Sequence, residues 1–429
     1  MSEQHHTSKG LFQKDSLIYD WNLLSPFTCH FNPPQRVELN DETLRDGLQC
    51  PSVLQPTLEQ KLVFLRLMPK LGIDSADIGY AGASKAALDD VVALAKTILD
   101  EDLPVKPNCA GRTHEADINP ILEAQQRSGQ AIEAALFIGS SPIRQFVEGW
   151  DLSFLLKTIE KAVLYARSHD LSVMFVTEDT TRALPEHIAA MYLTAAQAGA
   201  TRLCIADTVG HATPSGVQHL VGFLREQLQK VGFGDLMLDW HGHRDRGLDV
   251  MNSMAALSAG ASRVHGCALG IGERVGNTAL DTLLVNLVLQ GWMDQDLSAL
   301  DEYCRLASEM TGVPIPRNYP ILGDDAFVTS TGVHAAAILK AQAKGDTWLE
   351  DRVYSAIPAA LVGRHQTITV GPMSGQANAV AWLKDHHMEP TPSRITVILN
   401  AAKQTTHILS DEEIMSLMQV SSLSKGAPT

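Results

Sequence analysis

The sequence predicts a TIM (β/α)8 barrel followed by a smaller, mostly helical C-terminal accessory region. Three observations carry this. From Arg36 onward, short β-rich runs alternate with amphipathic helical stretches, and eight such pairs fit into about 250 residues, the size and rhythm of such a barrel. No G-x-G-x-x-G turn follows the first run, which argues against a doubly wound dinucleotide-binding sheet. The polar residues with the most useful chemistry all fall at the C-terminal ends of the β-rich runs, where a barrel converges its strand tips on one cavity.

In chain order the strands read 37–44, 75–82, 105–111, 131–141, 171–179, 201–208, 236–243 and 263–270. Each has the β-branched and apolar content of a strand and is followed by a helix candidate. The helices include 57–72, 84–103, 151–170 and 184–200, the last with Pro185 near its start, where a missing N–H costs nothing. The barrel rhythm stops after Gly291. Helical spacing returns at 298–313, and the Pro-rich break 314–320 leads to a small-residue turn feeding a helix within 324–345. Residues 352–375 end in two short turns, and 393–407 with 410–418 read as two further helices. The organisation expected is an N-terminal arm at 1–35, the barrel at 36–292 and accessory subdomains at 293–429.

The bulk composition narrows the partners. With 429 residues and 45% apolar content, the chain has enough to bury one large core and a smaller second unit. A net charge of −15, with no long Lys/Arg run, removes the electrostatic footprint of nucleic-acid binding. No run of eighteen apolar residues occurs and the lead-in lacks an apolar segment, so no membrane association and a cytoplasmic location are expected. The six cysteines show no C-x-x-C spacing and read as reduced thiols.

The stretch with the clearest chemistry is LMLDWHGH, 236–243. Strand side chains repeat every second residue, so His241 and His243 point to one face and form a pair of candidate metal ligands. Asp46, in VELNDETLRDGLQ at 37–49, is the carboxylate expected to complete the set. Two nitrogens and an oxygen suit a divalent ion such as Mg, Mn, Zn or Co. H-x-H alone is a weak signal, since such pairs more often hydrogen-bond in a core. The rim position shared with Arg45, Glu178, Thr208 and Glu273 is what strengthens it. Arg45 and Asp46, being adjacent, are expected to face different ways, and the bland reading of Arg45 is a salt bridge across the barrel mouth to Glu178 or Glu273. GIGERVGN, 270–277, is a Gly-rich loop before a helix and suits close approach to a phosphate or pantetheine arm. There Glu273 could equally pair with Arg274.

Taken together, VELNDETLRDGLQ, TED (177–179), ADTVGHATP (206–214), HGHRDRGL (241–248) and GERVGN (272–277) resemble the DRE-TIM metallolyase superfamily. AFVTSTGVHAAA (326–337) and LVGRHQTITVGPMSG (361–375) extend the likeness beyond the barrel, to about residue 418. The pattern is closest to the Claisen-condensing branch of α-isopropylmalate, homocitrate and citramalate synthases. The resemblance implies a metal-dependent condensation of acetyl-CoA with an α-keto acid followed by thioester hydrolysis. Its most favoured form is 2-isopropylmalate synthesis from 2-oxoisovalerate, a step of leucine biosynthesis.

The resemblance also implies roles for individual positions. Asp46, His241 and His243, with Asn277 near or at the site, hold the metal, and Arg45 stabilises the enolate or alkoxide oxygen. Glu178, Thr208 and Gln49 help hold the keto acid, while Gly270, Gly272 and Arg274 belong to the acetyl-CoA loop. Glu273, His334 and Tyr354 act in acetyl-CoA activation or thioester hydrolysis, the last two from an accessory region reaching over a neighbouring barrel in a swapped homodimer. Departures from the pattern are Arg244 after H-x-H, Asp77 for a strand-two Glu, Thr331 and Val333 in TGVH, and Met373 in place of a His. The alternatives are homocitrate, citramalate or benzylmalate synthesis, a carbon-carbon lyase of the hydroxymethylglutaryl-CoA type, and a non-catalytic binding protein on the same fold. The short stretch after the helical tail leads us to expect no leucine feedback through a further allosteric domain.

Overall fold

The computed structural model describes residues 37–423 together with Pro34, so the expected N-terminal arm lies outside the described residues. Among the described residues, eight parallel strands close into a barrel in sequence order. They are β1 (Glu38–Asp41), β2 (Ser75–Asp77), β3 (Lys106–Arg112), β4 (Glu133–Gly139), β5 (Ser172–Glu178), β6 (Arg202–Asp207), β7 (Met237–Gly242) and β8 (Arg263–Gly266). Closure is made by β1 on β8, with Glu38 opposite Arg263 and Asp41 opposite Gly266.

Period-two alternation sorts the strand side chains into two sets. Leu136, Phe175, Ile205, Leu238, Trp240 and Val264 join the helices in one continuous buried core. The residues between them face the lumen, where Ala135, Met174 and Cys204 form a separate small apolar cluster with Val176. Below it the lumen is charged. Arg202 pairs with Asp239 at 2.6 Å and Glu38 at 2.7 Å, and Arg263 with Asp239 at 2.7 Å and Glu133 at 2.8 Å. The charges sit at inward register, where two arginines and three carboxylates from five different strands pair with one another.

The helices start where the local chemistry allows. Ser84, Asp151 and Thr213 accept the otherwise unpaired N–H of Ala87, Phe154 and Gly216, and Pro185 opens the helix Pro185–Gln197. Helix Leu300–Thr311 packs onto the barrel core through Leu300, Tyr303, Cys304 and Ala307. Beyond it, Val328–Thr329 and Thr367–Ile368 form a two-stranded parallel pairing, β9 and β10, too short to be read from periodicity. Helix Gln376–Asp385 was not anticipated. It forms because Ala379, Trp382 and Leu383 bury against Ile398, Ala402 and Ile414 in a separate C-terminal core. The last helix is longer than expected, Asp411–Leu423.

Candidate active site

The site begins where β1 ends. The first strand was expected to run to Leu44, but it stops at Asp41 and the chain turns sharply. Arg45 N–H and Gly47 N–H both donate to the Glu42 carbonyl, and Ala268 N–H donates to Thr43 Oγ1, tying the turn to the end of β8. The turn corrects the expectation that Arg45 and Asp46 diverge. Adjacent side chains diverge on a strand but converge on a turn, and Arg45 Nη1 lies 3.0 Å from Asp46 Oδ2. Arg45 Nε also pairs with Asp77 at 2.7 Å and Nη2 approaches Glu42 at 3.5 Å, so its partners are not Glu178 or Glu273.

Across the mouth, His241 is the penultimate residue of β7 and His243 follows it, bridged to Asn277. Their rings stand 5.0 Å apart on one face. Asp46, His241 and His243 are buried, and each offers a donor atom within 4.8 Å of the others. Two buried polar atoms at this point, His243 Nδ1 and Asn277 Oδ1, have no hydrogen-bond partner. An orphaned amide oxygen and an unpartnered imidazole beside an acidic oxygen are what a cation would satisfy, so the residues fit a divalent ion. Burial first, then neighbouring His241, brings His243 down to about 4, which keeps it neutral and able to ligate. Burial opposes ionisation of Asp46, but Arg45 and the imidazoles outweigh it and hold the carboxyl below its ordinary range. Asn277 Nδ2 donates to Asp46 Oδ1 at 3.0 Å, fixing the other carboxylate oxygen.

Sequence reasoning missed Glu42 and His265. Glu42 is fully inside the lumen and accepts from His241 Nδ1 at 2.6 Å and from His265 Nδ1 at 2.9 Å. His265 Nε2 in turn donates to Asp239 Oδ2 at 3.0 Å. Carboxylates only accept, so His241 carries its proton on Nδ1 and presents Nε2 toward Asp46. Burial would raise Glu42, yet the two imidazoles keep it well below the usual carboxylate range. Burial acts to lower His265, and the two carboxylates that flank it raise it nonetheless. The inward register of Glu42 and His265, matching that of His241, was the signal available in the sequence.

The cavity, 290 Å³ in volume, is lined at its mouth by Arg45, Asp46, Gln49, Glu178, Thr208, His241, His243, Glu273 and Arg274. Burial raises Glu178 above the ordinary range against the pull of Arg144, 3.7 Å away. Thr208 Oγ1 accepts the Asp179 N–H at 2.8 Å, which leaves its hydroxyl hydrogen to donate into the cavity. Arg274 pairs with Asp245 at 2.8 Å rather than with Glu273. Gly270 and Gly272 do not line the cavity. Both have positive φ, and a Cβ on Gly272 would lie 2.1 Å from Asn277 Nδ2, so these glycines let the loop seat Asn277. Arg244 donates to the Leu269 carbonyl at 3.3 Å. His334 and Tyr354 stack on one another with ring centroids 3.9 Å apart, exposed on the accessory region and not among the cavity-lining residues of their own chain. Met373 is 71% exposed.

An eight-stranded α/β barrel with an Asp, two His and an Arg gathered at its C-terminal mouth defines a class of barrel proteins with a candidate divalent-metal site. The chain matches the HMGL-like family over residues 36–307 and belongs to that family. A homocitrate synthase of Methanopyrus kandleri is 32% identical over 374 residues, 86% of this chain and 88% of that protein. A 2-isopropylmalate synthase of Sediminispirochaeta smaragdinae is 31% identical over 338 residues, 77% of this chain and 66% of the relative. In fold the chain is similar to the HMG-CoA lyase of Bacillus subtilis, with a TM-score of 0.55 at 22% identity, covering 66% of this chain and 96% of the lyase.

Proposed function

We propose that this protein condenses acetyl-CoA with a 2-oxo acid and hydrolyses the resulting thioester, with 2-oxoisovalerate as the first acid to test and 2-isopropylmalate as its product. The observation that carries this is the buried Asp46, His241 and His243 set with Arg45 beside it at the cavity mouth. The alignment with named synthases over most of the chain supports it. When bound by these three residues and faced by Asn277 Oδ1, a divalent ion supplies Lewis-acid polarisation of a chelated carbonyl.

The rest falls to the chain's own groups. Three of the five Arg45 N–H directions are spent on Asp77, Asp46 and Glu42, and the remaining two serve an oxygen that gains negative charge in the cavity. Thr208 donates its hydroxyl hydrogen to the acid's carboxylate, with Gln49 and Glu178 at the same wall. Glu273 stands exposed at the mouth with Arg274 already engaged by Asp245, so its carboxylate serves the proton of the acetyl methyl or the water that attacks the thioester. His334 and Tyr354 join it from the accessory region of a second copy, which makes a homodimer the working unit. Such a synthase is a cytoplasmic enzyme of amino-acid biosynthesis, and a branched acid would place it in leucine formation.

The test is thiol release from acetyl-CoA by metal-stripped protein resupplied with Mg2+, Mn2+, Zn2+ or Co2+, using 2-oxoisovalerate, 2-oxoglutarate, pyruvate and phenylpyruvate. Metal-dependent release with a product mass equal to acid plus acetate is expected. No release with any acid and any metal would overturn the reading.

A further inference from the structure

Arg244, the departure from the family pattern directly after the paired histidines, is tied to the loop that follows β8 at two points. Its backbone N–H donates to the Gly276 carbonyl at 3.0 Å, and its guanidinium Nη1 donates to the Leu269 carbonyl at 3.3 Å. These two carbonyls bracket the loop, so one residue, next in sequence to His243, closes both of its ends. Nη1 lies over Gly270, where a Cβ would come within 2.3 Å of it.

Leu269 needs such a hold. It is a buried leucine at φ 57° and ψ 10°, in the left-handed region that a side chain with a Cβ disfavours. Both of its backbone polar groups are gripped by side chains from elsewhere. Asp281, in the first turn of helix Leu280–Leu289, accepts its N–H at 3.1 Å, and Arg244 donates to its carbonyl. Asp281 is in turn fixed by the Tyr319 hydroxyl at 3.2 Å. Burial, with Asp281 beside it, pushes that hydroxyl above its ordinary range against the pull of Arg244, so it stays a donor. Strain of this kind persists only where the surroundings over-determine it, and it gathers at functional sites. Here the next peptide leads to one: the Gly270 carbonyl accepts the Asn277 N–H at 3.1 Å, and the Asn277 side chain donates to Asp46 while its Oδ1 has no hydrogen-bond partner.

We infer that Arg244 is a positioning residue of this site: by holding the Leu269 carbonyl it keeps the loop folded back on His243 and so sets where Glu273 and Asn277 stand. His243 and Asn277 pair as an isolated bridge, the register that the loop has to keep. Without the guanidinium, Leu269 relaxes toward negative φ, the Leu269–Gly270 peptide turns, and the Asn277 N–H loses its acceptor. The effect on ion binding stands apart from the reaction; the effect on turnover rests on the condensation reading.

The experiment compares metal-stripped wild type with Arg244→Ala, Leu269→Asn and the double variant, by Mn2+ calorimetry, amide hydrogen exchange and circular dichroism. Arg244→Ala is expected to weaken Mn2+ binding about 10-fold and to speed exchange at 271–277, with the far-ultraviolet spectrum unchanged. Asparagine adopts positive φ with little strain, so in the Leu269→Asn background the loss of Arg244 is expected to change Mn2+ affinity by no more than about twofold. If Leu269→Asn does not fold, Leu269→Gly takes its place. With Mn2+ saturating, kcat for thiol release by Arg244→Ala is expected to fall about 10-fold while the KM for the 2-oxo acid stays within about threefold, because Glu273 rides on the loop. Mn2+ affinity of Arg244→Ala within about twofold of wild type overturns the inference, and so does an equal loss in both backgrounds, which would mean that the guanidinium acts by its charge and not through Leu269. If wild type releases no thiol with any acid, the condensation reading falls, and titration and exchange still decide the role of Arg244.

Discussion

Replacing Glu42 by Gln tests the part of the site that sequence reasoning missed. The carboxylate accepts from two imidazoles, at 2.6 Å from His241 and 2.9 Å from His265. Glutamine keeps the volume but has one acceptor oxygen and an amide that donates, so at most one of the two Nδ1–H groups keeps a partner. The cheapest relief is for His241 to move its proton to Nε2, the atom that faces Asp46 at 3.8 Å and would bind an ion. Loss of such an orienting partner costs about 10- to 100-fold in metal affinity, or roughly 1.4 to 2.7 kcal/mol. Calorimetric titration of the stripped variant with Zn2+ or Mn2+ measures it, and histidine ring-nitrogen NMR reads the tautomer directly. A folded Glu42→Gln protein that binds either ion within threefold of wild type, with His241 still protonated on Nδ1, would refute the argument that Glu42 sets the ligand.

Arg45→Lys is expected to lower the rate of thiol release on the order of 100- to 1,000-fold, because one ammonium cannot span Asp77, Asp46 and a charged oxygen as the planar fork does; near-wild-type turnover would contradict this. Asp41, buried against Tyr303, is pushed up to about 6 by desolvation. A carboxyl raised in the folded state favours folding below its unfolded pKa and loses that contribution as pH rises through the folded value. Asp41→Asn should therefore gain stability relative to wild type between pH 5 and pH 8, on the order of 1 kcal/mol in urea denaturation, and a pH-independent difference would count against it. Mixing His334→Ala with Asp46→Ala, each inactive alone, should restore roughly a quarter of wild-type thiol release after subunit exchange if the accessory region completes a neighbouring site. No recovery after verified exchange would return both residues to a role within their own chain. Gly276→Ala should disorder the 270–277 loop and weaken metal binding, since its Cβ would lie 1.8 Å from the Gly270 carbonyl oxygen; an unchanged titration would show the loop yields.

The sequence by itself determined the barrel, because eight alternations of β-rich and amphipathic segments have few ways to bury their apolar faces, and strand periodicity alone placed His241 and His243 on one face. It also placed Asp46, Glu178, Thr208 and Glu273 at strand ends, which the closed barrel brings to one cavity. The tertiary structure alone decided what those residues touch. Arg45 turned toward Asp77 and Asp46 because the chain leaves β1 in a turn three residues earlier than its β-rich composition suggests. Glu42 and His265 became part of the site because partners 199 and 223 residues apart meet inside the lumen. Local spacing fixes which face a side chain takes; which other face it meets depends on closing the barrel, and that is set by all eight strands together.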